Sequence, residues 1–512
     1  MTLKLYNTLT RSLCDFMPIK EGQAGVYVCG PTVYDDAHIG HARASVAFDV
    51  LARHLAASGY EVRYVRNFTD VDDKIINRAR ERGVGWKELA EGYIASFNED
   101  MDALNCLRPT FAPRATEYIF QMQEDILGIM DAGHAYRLDG DVYFDVSSLP
   151  AYGRLSRREA GDAEPGARVA VDGRKRNPAD FALWKSAAEG EPSWPSPWGP
   201  GRPGWHIECS AMSARLLGPS FDIHGGGQDL VFPHHENEMA QSAALGRPMA
   251  NVWLHNGFVN INSEKMSKSL GNAFSVKDIL KAVPPEALRF FLVQGHYRGP
   301  VDFSDAAVRE SGRALERLFR AVEAADAFLG GVGPAAMRAP EASKATRATQ
   351  VTQATEAAQA PQATQGPDGD RFPAGEADEA VTHLVRFKVA MDDDLNTSRA
   401  LGSMFEAAHA LNRRVSEGDR ARAAALRDAV VSMGEGLGLR LSDYAGFFAR
   451  AAALREGAEG GSARGEIERK VALRDEARAK KDWAEADRLR RELSELGVAV
   501  EDRGGKGAWR YV

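Results

Sequence analysis

Two imidazoles three residues apart, His38 and His41, flank Gly40 where the chain passes from a loop into an apolar-periodic helix. A helix start offers free N–H groups with partial positive charge, and a glycine there admits a ligand to the backbone, so the corner suits an anion. Histidines at a helix start also act as caps, and the tetrapeptide alone does not separate the roles. Far along the chain, Lys265 and Lys268 lie in Lys265-Met266-Ser267-Lys268-Ser269, followed by Leu270-Gly271-Asn272. Two ammonium groups on a Ser/Gly-flanked loop can clamp a polyphosphate and release it, since lysine holds a point charge without rigid geometry. Read alone, this peptide is more simply a solvated basic loop.

A third group, Phe232-Pro233-His234-His235-Glu236-Asn237-Glu238, sets His234 and Glu238 at i, i+4, a workable pair of zinc ligands on one helix face. Two more ligands are needed. A metallohydrolase built on this cluster would require two histidines at i, i+4 with a glutamate beside the first, which the sequence lacks. Cys29 and Cys209 stand 180 residues apart with no local metal spacing, and free cysteines are commonly small buried apolar residues.

The elements that must position these groups read as an α/β layer. Ala24–Cys29 is a short β-prone run, broken by Gly30-Pro31 and followed by a helix through Val46, Val50 and Leu51. Glu61–Arg66 and Asp73–Arg82 repeat the strand–helix scheme, which predicts a parallel sheet with its ligand beyond the strand C-termini. Residues 150–205 change character, mixing charges with Gly, Pro and Trp, and read as an insertion in the sheet domain. Helical spacing runs from Asp305 to Leu329 and again from about Ala377 to Arg455. Between them, Ala345–Gln365 holds 7 Ala, 5 Thr and 5 Gln with no apolar period, the composition of a solvated linker. The last stretch carries a helix through Ala486, Leu489, Leu493 and Leu496, a break at Gly497 and a strand-like end.

At 512 residues the chain has room for three to four domains, and a single small binding module is excluded. The formal charge of -8 means that any nucleic acid would be met by local patches. Four cysteines, at 14, 29, 106 and 209, are too few and too dispersed for a disulfide scaffold, so a reducing, cytoplasmic compartment is expected. No run is apolar enough for a signal peptide or a membrane span.

The His38-Ile39-Gly40-His41 and Lys265–Ser269 peptides, in this order around a nucleotide-type layer, resemble the two signatures of class I aminoacyl-tRNA synthetases. Longer strings narrow the resemblance to cysteinyl-tRNA synthetases: Tyr27-Val28-Cys29-Gly30-Pro31-Thr32-Val33-Tyr34, Asn67-Phe68-Thr69-Asp70-Val71-Asp72-Asp73-Lys74, Gly204-Trp205-His206-Ile207-Glu208-Cys209-Ser210 and Phe221-Asp222-Ile223-His224-Gly225-Gly226-Gly227-Gln228-Asp229-Leu230. It covers residues 3 to 512 apart from much of the Ala/Thr/Gln stretch.

The resemblance implies a Rossmann-type catalytic domain over 1–120 and 201–255, an inserted connective domain at 121–200 and a lysine-loop region at 256–304. It further implies a helical tRNA-binding bundle at 305–455, with a disordered insert at about 331–376, and a small anticodon-binding module at 463–512. Cys29, Cys209, His234 and Glu238 are expected around one Zn²⁺. Packing alone tells one small group from another by only ~10–200-fold, whereas ligating the substrate sulfur as thiolate uses softness and pKa together. Such selection removes the need for editing, and no editing module is recognisable. Thr69, Trp205 and His224 would shape the cysteine pocket, and His38, Gly40, His41, Gly227, Asp229 and Lys268 the ATP site, with Mg²⁺ accompanying ATP. His38, His41, Lys265 and Lys268 would position and neutralise phosphate charge.

The partners implied are ATP, L-cysteine and tRNA(Cys), with no membrane and a monomeric chain. In the last module, Arg474, Arg478, Lys480, Lys481, Arg488, Arg490 and Arg491 could follow phosphates, against the plainer reading of a solvated helix. The resemblance moves Arg478, Trp483, Asp487 and Asp502 toward anticodon reading. A mycothiol-pathway cysteine ligase, which passes cysteine to an amino sugar, would lack that module. A non-catalytic zinc-dependent RNA-binding relative would have lost a signature, and both are present.

Overall fold

The computed structural model describes residues 2–158, 173–261, 264–265, 274–330, 379–459, 462–480, 482–495, 498–503 and 506–511. They fall into two compact units, Met1–Lys277 with Pro285–Ser442, and Asp278–Pro284 with Asp443–Val512.

The first unit opens on an antiparallel hairpin, β1 (Lys4–Asn7) and β2 (Ser12–Asp15). The parallel layer then follows as β3 (Gln23–Val28), α1 (Ile39–Ala57), β4 (Glu61–Arg66), α2 (Asp73–Arg82) and α3 (Trp86–Ala103). The strand and helix expected at 61–66 and 73–82 are β4 and α2. The latter is fixed at both ends, by Asp72 accepting from the Lys74 N–H and by left-handed Gly83. An excursion follows through α4 (Ile119–Asp131) and an antiparallel sheet of β5 (Ala135–Leu138), β6 (Asp141–Phe144), β7 (Phe181–Ser186) and β8 (Gly201–Pro203). The chain returns through α5 (Trp205–Leu217), β9 (Ser220–Gly227), α6 (Glu236–Ala244) and β10 (Met249–Asn256).

The central sheet has the order β10-β9-β3-β4, every pair parallel. From β3 the chain crosses through α1 to β4 on one side, and from β9 through α6 to β10 on the other. The C-terminal ends of β3 and β9 therefore border the crevice where strand order reverses, the place where such sheets bind ligands. The excursion shares its core with the layer: Trp184, Phe144 and Ile126 pack with Ile207 and Ala211 of α5 and Ala240 of α6.

Beyond the sheet lie β11 (Val259–Ile261), β12 (Glu264–Lys265), α7 (Val276–Leu280), α8 (Pro285–Gln294) and β13 (Val301–Phe303). The expected lysine loop thus begins as a strand, with Lys265 paired opposite Asn260; Lys268 lies outside the described residues. A helical layer follows, α9 (Asp305–Leu329), α10 (Glu379–Asp392), α11 (Thr397–Glu417) and α12 (Arg420–Gly436); the expected insert at 331–376 is also outside the described residues. Arg289 of α8 ties this layer to α1. It is 1% exposed, donates to the Leu437 and Leu104 carbonyls at 2.7 and 2.8 Å, and pairs with Asp49. A Cβ on Gly438, whose φ is +69°, would fall 2.1 Å from the guanidinium. Asp392 pairs with His54, and Asp394 accepts from the Tyr6 N–H and the Tyr297 hydroxyl, so the Met391–Thr397 segment is a packed joint.

The second unit carries α13 (Tyr444–Glu459), α14 (Ser462–Ala479), α15 (Trp483–Glu495) and an antiparallel pair, β14 (Val498–Arg503) and β15 (Lys506–Tyr511). Its described core is Ile467, Val471, Leu493, Val498 and Val500. No helix among the described residues is long and apolar enough to cross a membrane.

Candidate active site and metal centre

Cys29 follows β3 directly, and Gly30 after it has no room for a side chain: a Cβ there would stand 1.6 Å from the Asn67 carbonyl oxygen. That close approach lets the chain turn off the sheet with the Cys29 thiol at the crevice. Across it, α5 starts at Trp205 and brings Cys209 round after one turn, 1% exposed. Glu238 stands in the first turn of α6, with His234 in the π-helical turn before it, so the i, i+4 pair meets although His234 precedes the regular helix. His234 Nε2 is 3.0 Å from Glu238 Oε1, Cys29 Sγ is 3.4 Å from the same oxygen and 3.6 Å from Cys209 Sγ. One ligand atom from each of Cys29, Cys209, His234 and Glu238 lies within 4.8 Å of the others.

The charges of this group fit a cation. Burial alone would lower the His234 pKa, but Glu238 and Cys209 outweigh it and push it up to about 10. Burial raises the Cys29 thiol, with Cys209 and Glu238 beside it adding to the rise. Glu238 Oε2 is buried with no hydrogen-bond donor among the described residues, although His224 Nε2 is 3.3 Å away. Two sulfurs, an imidazole and a carboxylate form a borderline-soft donor set, which zinc accepts. His206 Nδ1 lies 2.9 Å from His234 Nδ1, a bond that fixes the ring and leaves Nε2 toward the cluster, as an outer-shell partner does for a metal-bound histidine.

A second grouping, Cys29, His224, His235 and Glu238, also has one ligand atom from each residue within 4.8 Å of the others. Its histidines are fully buried, and His235 belongs to an imidazole chain: His235 Nδ1 is 2.8 Å from His255 Nε2, and His255 Nδ1 is 2.7 Å from the Thr8 hydroxyl. Burial drives His235 well below its ordinary pKa and His255 down to about 3, so both rings are neutral. His224, expected in the amino-acid pocket, stacks on Tyr27 at 5.3 Å beneath the cluster. Trp205 lies against the His234 ring at 4.1 Å, and the buried Thr69 donates to Glu208 at 2.6 Å. Burial raises the Glu208 pKa well above the usual carboxylate range.

At the His38–His41 corner the histidines cap the helix. His38 is the N-cap of α1, and the two rings stack at 3.7 Å while each Nδ1 accepts the other residue's backbone N–H, at 3.4 and 3.2 Å. With Nδ1 accepting, the neutral form of each ring carries its proton on Nε2, the polarity that an anion requires. Gly40 lies in the first turn of α1, Gly227 ends β9, and Asp229 follows on an exposed turn.

In the second unit, the Arg478 guanidinium stands 5.9 Å from the Trp483 ring centre, and Trp483 is 58% exposed. Asp487 lies one turn on along α15; the Asp502 backbone is in β14, and its side chain lies outside the described residues. Arg474 corrects the expected phosphate track: it is 1% exposed and pairs with Asp475, because it sits on the inner face of α14. His206, Glu208, His235 and His255 were not singled out by the sequence reading. The first three lie within or beside its quoted motifs, but only burial reveals what they do.

Comparisons with known proteins agree along the chain. Residues 15–313 match the class I (C) tRNA synthetase catalytic domain, 386–442 the DALR domain, and 465–510 the cysteinyl-tRNA ligase anticodon binding domain. The cysteine–tRNA ligase of Trichlorobacter lovleyi is 48% identical over 100% of both chains, and that of Geobacter sulfurreducens is 47% identical over 100% of both. Among solved structures, a Mycobacterium tuberculosis methionyl-tRNA synthetase in complex with methionyl-adenylate aligns with TM-score 0.53 at 16% identity, covering 85% of this chain and 92% of its own. An Agrobacterium radiobacter leucyl-tRNA synthetase from a ternary complex with tRNA aligns with TM-score 0.56 at 12% identity, covering 85% and 86%.

Proposed function

The chain belongs to the cysteine–tRNA ligases of the class I aminoacyl-tRNA synthetases, and on that footing we propose that it joins L-cysteine to tRNA(Cys) at the crevice between β3 and β9. The observation that carries the specificity is the tetrad of Cys29, Cys209, His234 and Glu238, drawn within 4.8 Å by the ends of separate elements. These four residues would hold one Zn²⁺; when bound, it supplies a soft Lewis-acidic position that favours sulfur over oxygen. Every ligand comes from one chain, so a monomer suffices. The alternative grouping with His224 and His235 fits less well, because only one sulfur takes part.

Two steps follow. The cysteine carboxylate attacks the α-phosphorus of Mg²⁺-bound ATP, giving cysteinyl-adenylate and pyrophosphate; the 3′-terminal ribose hydroxyl of the tRNA then takes the acyl group and AMP leaves. His38, Gly40 and His41 meet the phosphates at the start of α1, where the positive end of the helix dipole and the Nε2 protons face negative charge. Lys265 and Lys268 neutralise the leaving pyrophosphate, and Gly227 and Asp229 border the adenylate. Trp205 and Thr69 close the amino-acid pocket over His234 and Glu208, and His224 forms its floor. Arg478, Trp483, Asp487 and Asp502 read the anticodon through stacking and base-edge contacts.

The test is cysteine-dependent ATP–pyrophosphate exchange by the full-length protein, with serine as the competitor and with the metal chelated. The labelled adenylate is then offered to tRNA(Cys) and to an amino sugar. Exchange specific to cysteine, lost on chelation, with transfer to tRNA alone, supports the reading. Equal exchange with serine overturns the metal argument, and transfer to the sugar overturns the RNA half.

A further inference from the structure

The two signatures are more than 200 residues apart, yet their roots are stitched together. The chain returning from the lysine signature re-enters the described structure at Phe274, and Ser275 forms an antiparallel bridge with His38. Ile39 N–H donates to the Phe274 carbonyl at 3.2 Å, and Val276 N–H donates to the Ala37 carbonyl at 2.8 Å. Phe274 also packs on Phe303 of β13 at 5.5 Å, in the small sheet whose other edge is β12 with Lys265. Both flanks of 266–273 thus rest on one platform, and one flank is in register with the first residues of α1.

Lys277, next in the chain, adds side-chain chemistry to this seam. Its Nζ is 3.6 Å from Asp36 Oδ1 and 4.0 Å from Glu99 Oε2. Asp36, two residues before His38, is already oriented: the Ser96 hydroxyl donates to the same Oδ1 at 2.5 Å. Behind them Asp100 is 3% exposed, and its Oδ2 has no hydrogen-bond partner among the described residues. Burial raises the Asp100 pKa to about 7, with Lys277 opposing the rise and Asp36 and Glu99 adding to it. An exposed ion pair usually contributes little because two long side chains must be ordered for it. Here the carboxylate is pre-set by Ser96, and the lysine backbone is held one residue away by the Val276–Ala37 hydrogen bond.

We propose that Lys277 is a positioning residue for the adenylation step, holding the C-terminal root of the lysine signature against the start of α1 through Asp36 and Glu99. This deepens the functional reading above and rests on it. Lys277 touches neither substrate nor reacting atoms in this role; it sets where Phe274, the first described residue after the lysine signature, stands relative to His38 and His41, and misplacement by even an ångström is costly in a reaction catalysed by positioning.

The test uses the full-length zinc-loaded protein and its Lys277→Met, Lys277→Arg, Asp36→Asn and Lys277→Met/Asp36→Asn variants. Pyrophosphate exchange is measured together with hydrogen exchange at the Ile39 and Val276 amides. Lys277→Met is expected to lower kcat for exchange about fivefold, the scale of one partly exposed ion pair, with KM for cysteine unchanged. Lys277→Arg should restore it to within about twofold, and the double variant should be about fivefold slower rather than the ~25-fold of independent effects. Amide protection should fall in Lys277→Met and return in Lys277→Arg. Wild-type kcat in Lys277→Met, a loss expressed in KM for cysteine, or multiplicative effects in the double variant would each overturn the proposal. If the wild-type protein shows no cysteine-dependent exchange while protection still follows Lys277, the functional reading falls and the seam itself stands.

Discussion

The tetrad at the sheet and the helical hairpin of the second unit both concentrate charged side chains, by opposite means. At the tetrad the partners lie up to 209 residues apart, and all but the half-buried Cys29 are shielded from solvent. In the hairpin, Lys470 reaches Glu492 at 2.6 Å, and Arg488 reaches Glu485 and Glu492 within its own helix. A charge cluster buried among distant elements is expensive to assemble unless each member is compensated, so each tetrad residue depends on the whole sheet being right. Exposed charges on neighbouring helical turns cost little and contribute little to stability. Selecting an amino acid by sulfur calls for the first arrangement; the second asks nothing of distant elements, and its charges serve the helices first.

If that contrast is correct, the largest effect comes from breaking the tetrad. Cys209→Ala should lower cysteine-dependent exchange by about 10³-fold, the upper scale for losing a preorganised group, and abolish retention of stoichiometric zinc in a chromophoric chelator assay. Full zinc content and near-normal exchange in that variant would remove Cys209 from the centre. His206→Ala comes next: it takes away the partner of His234 Nδ1 and should weaken zinc retention by about 10–100-fold. His206→Asn keeps a polar atom near the Nδ1 position and should recover most of that loss. Equal weakening in both variants would mean that His206 acts by packing against Trp205 and Phe181 instead.

The same contrast explains how much was legible in the sequence. The strand–helix alternation through β3, α1, β4 and α2 showed in apolar period and punctuation because those signals are local. His234 and Glu238 showed for the same reason, being one helical turn apart. Nothing local joins Cys29 to Cys209, or Thr8 to His255 and His235; those meetings are made by strand order, and strand order does not show in the residues themselves. Resemblance supplied the first connection and was silent on the second. Arg474 erred the other way: its charge reads as surface, and only the packing of α14 turns it inward.

Trp483→Ala probes the second region at its most exposed point. A stacked base contributes about 1–3 kcal/mol, so KM for tRNA(Cys) should rise about tenfold or more while pyrophosphate exchange, which needs no RNA, stays at the wild-type rate. A parallel fall in exchange would mean that the ring supports the catalytic unit rather than reading a base.

The smallest effect is expected at Arg488, and it is the sharpest test of whether charge in this module is spent on RNA or on the helix itself. Its Nε and Nη2 donate to Glu485 at 2.8 and 2.5 Å, and Nη1 pairs with Glu492. To bind a phosphate, the guanidinium would have to exchange two carboxylates for one anion, which gives little net gain in water. Arg488→Ala should therefore leave the slope of log K for tRNA(Cys) against log salt unchanged, along with the melting temperature. A residue that does neutralise one single-stranded phosphate changes that slope by about 0.7. A drop of that size in Arg488→Ala would show that the arginine abandons its helical partners for the RNA, and that the locally paired hairpin, like the buried tetrad, is built for its ligand.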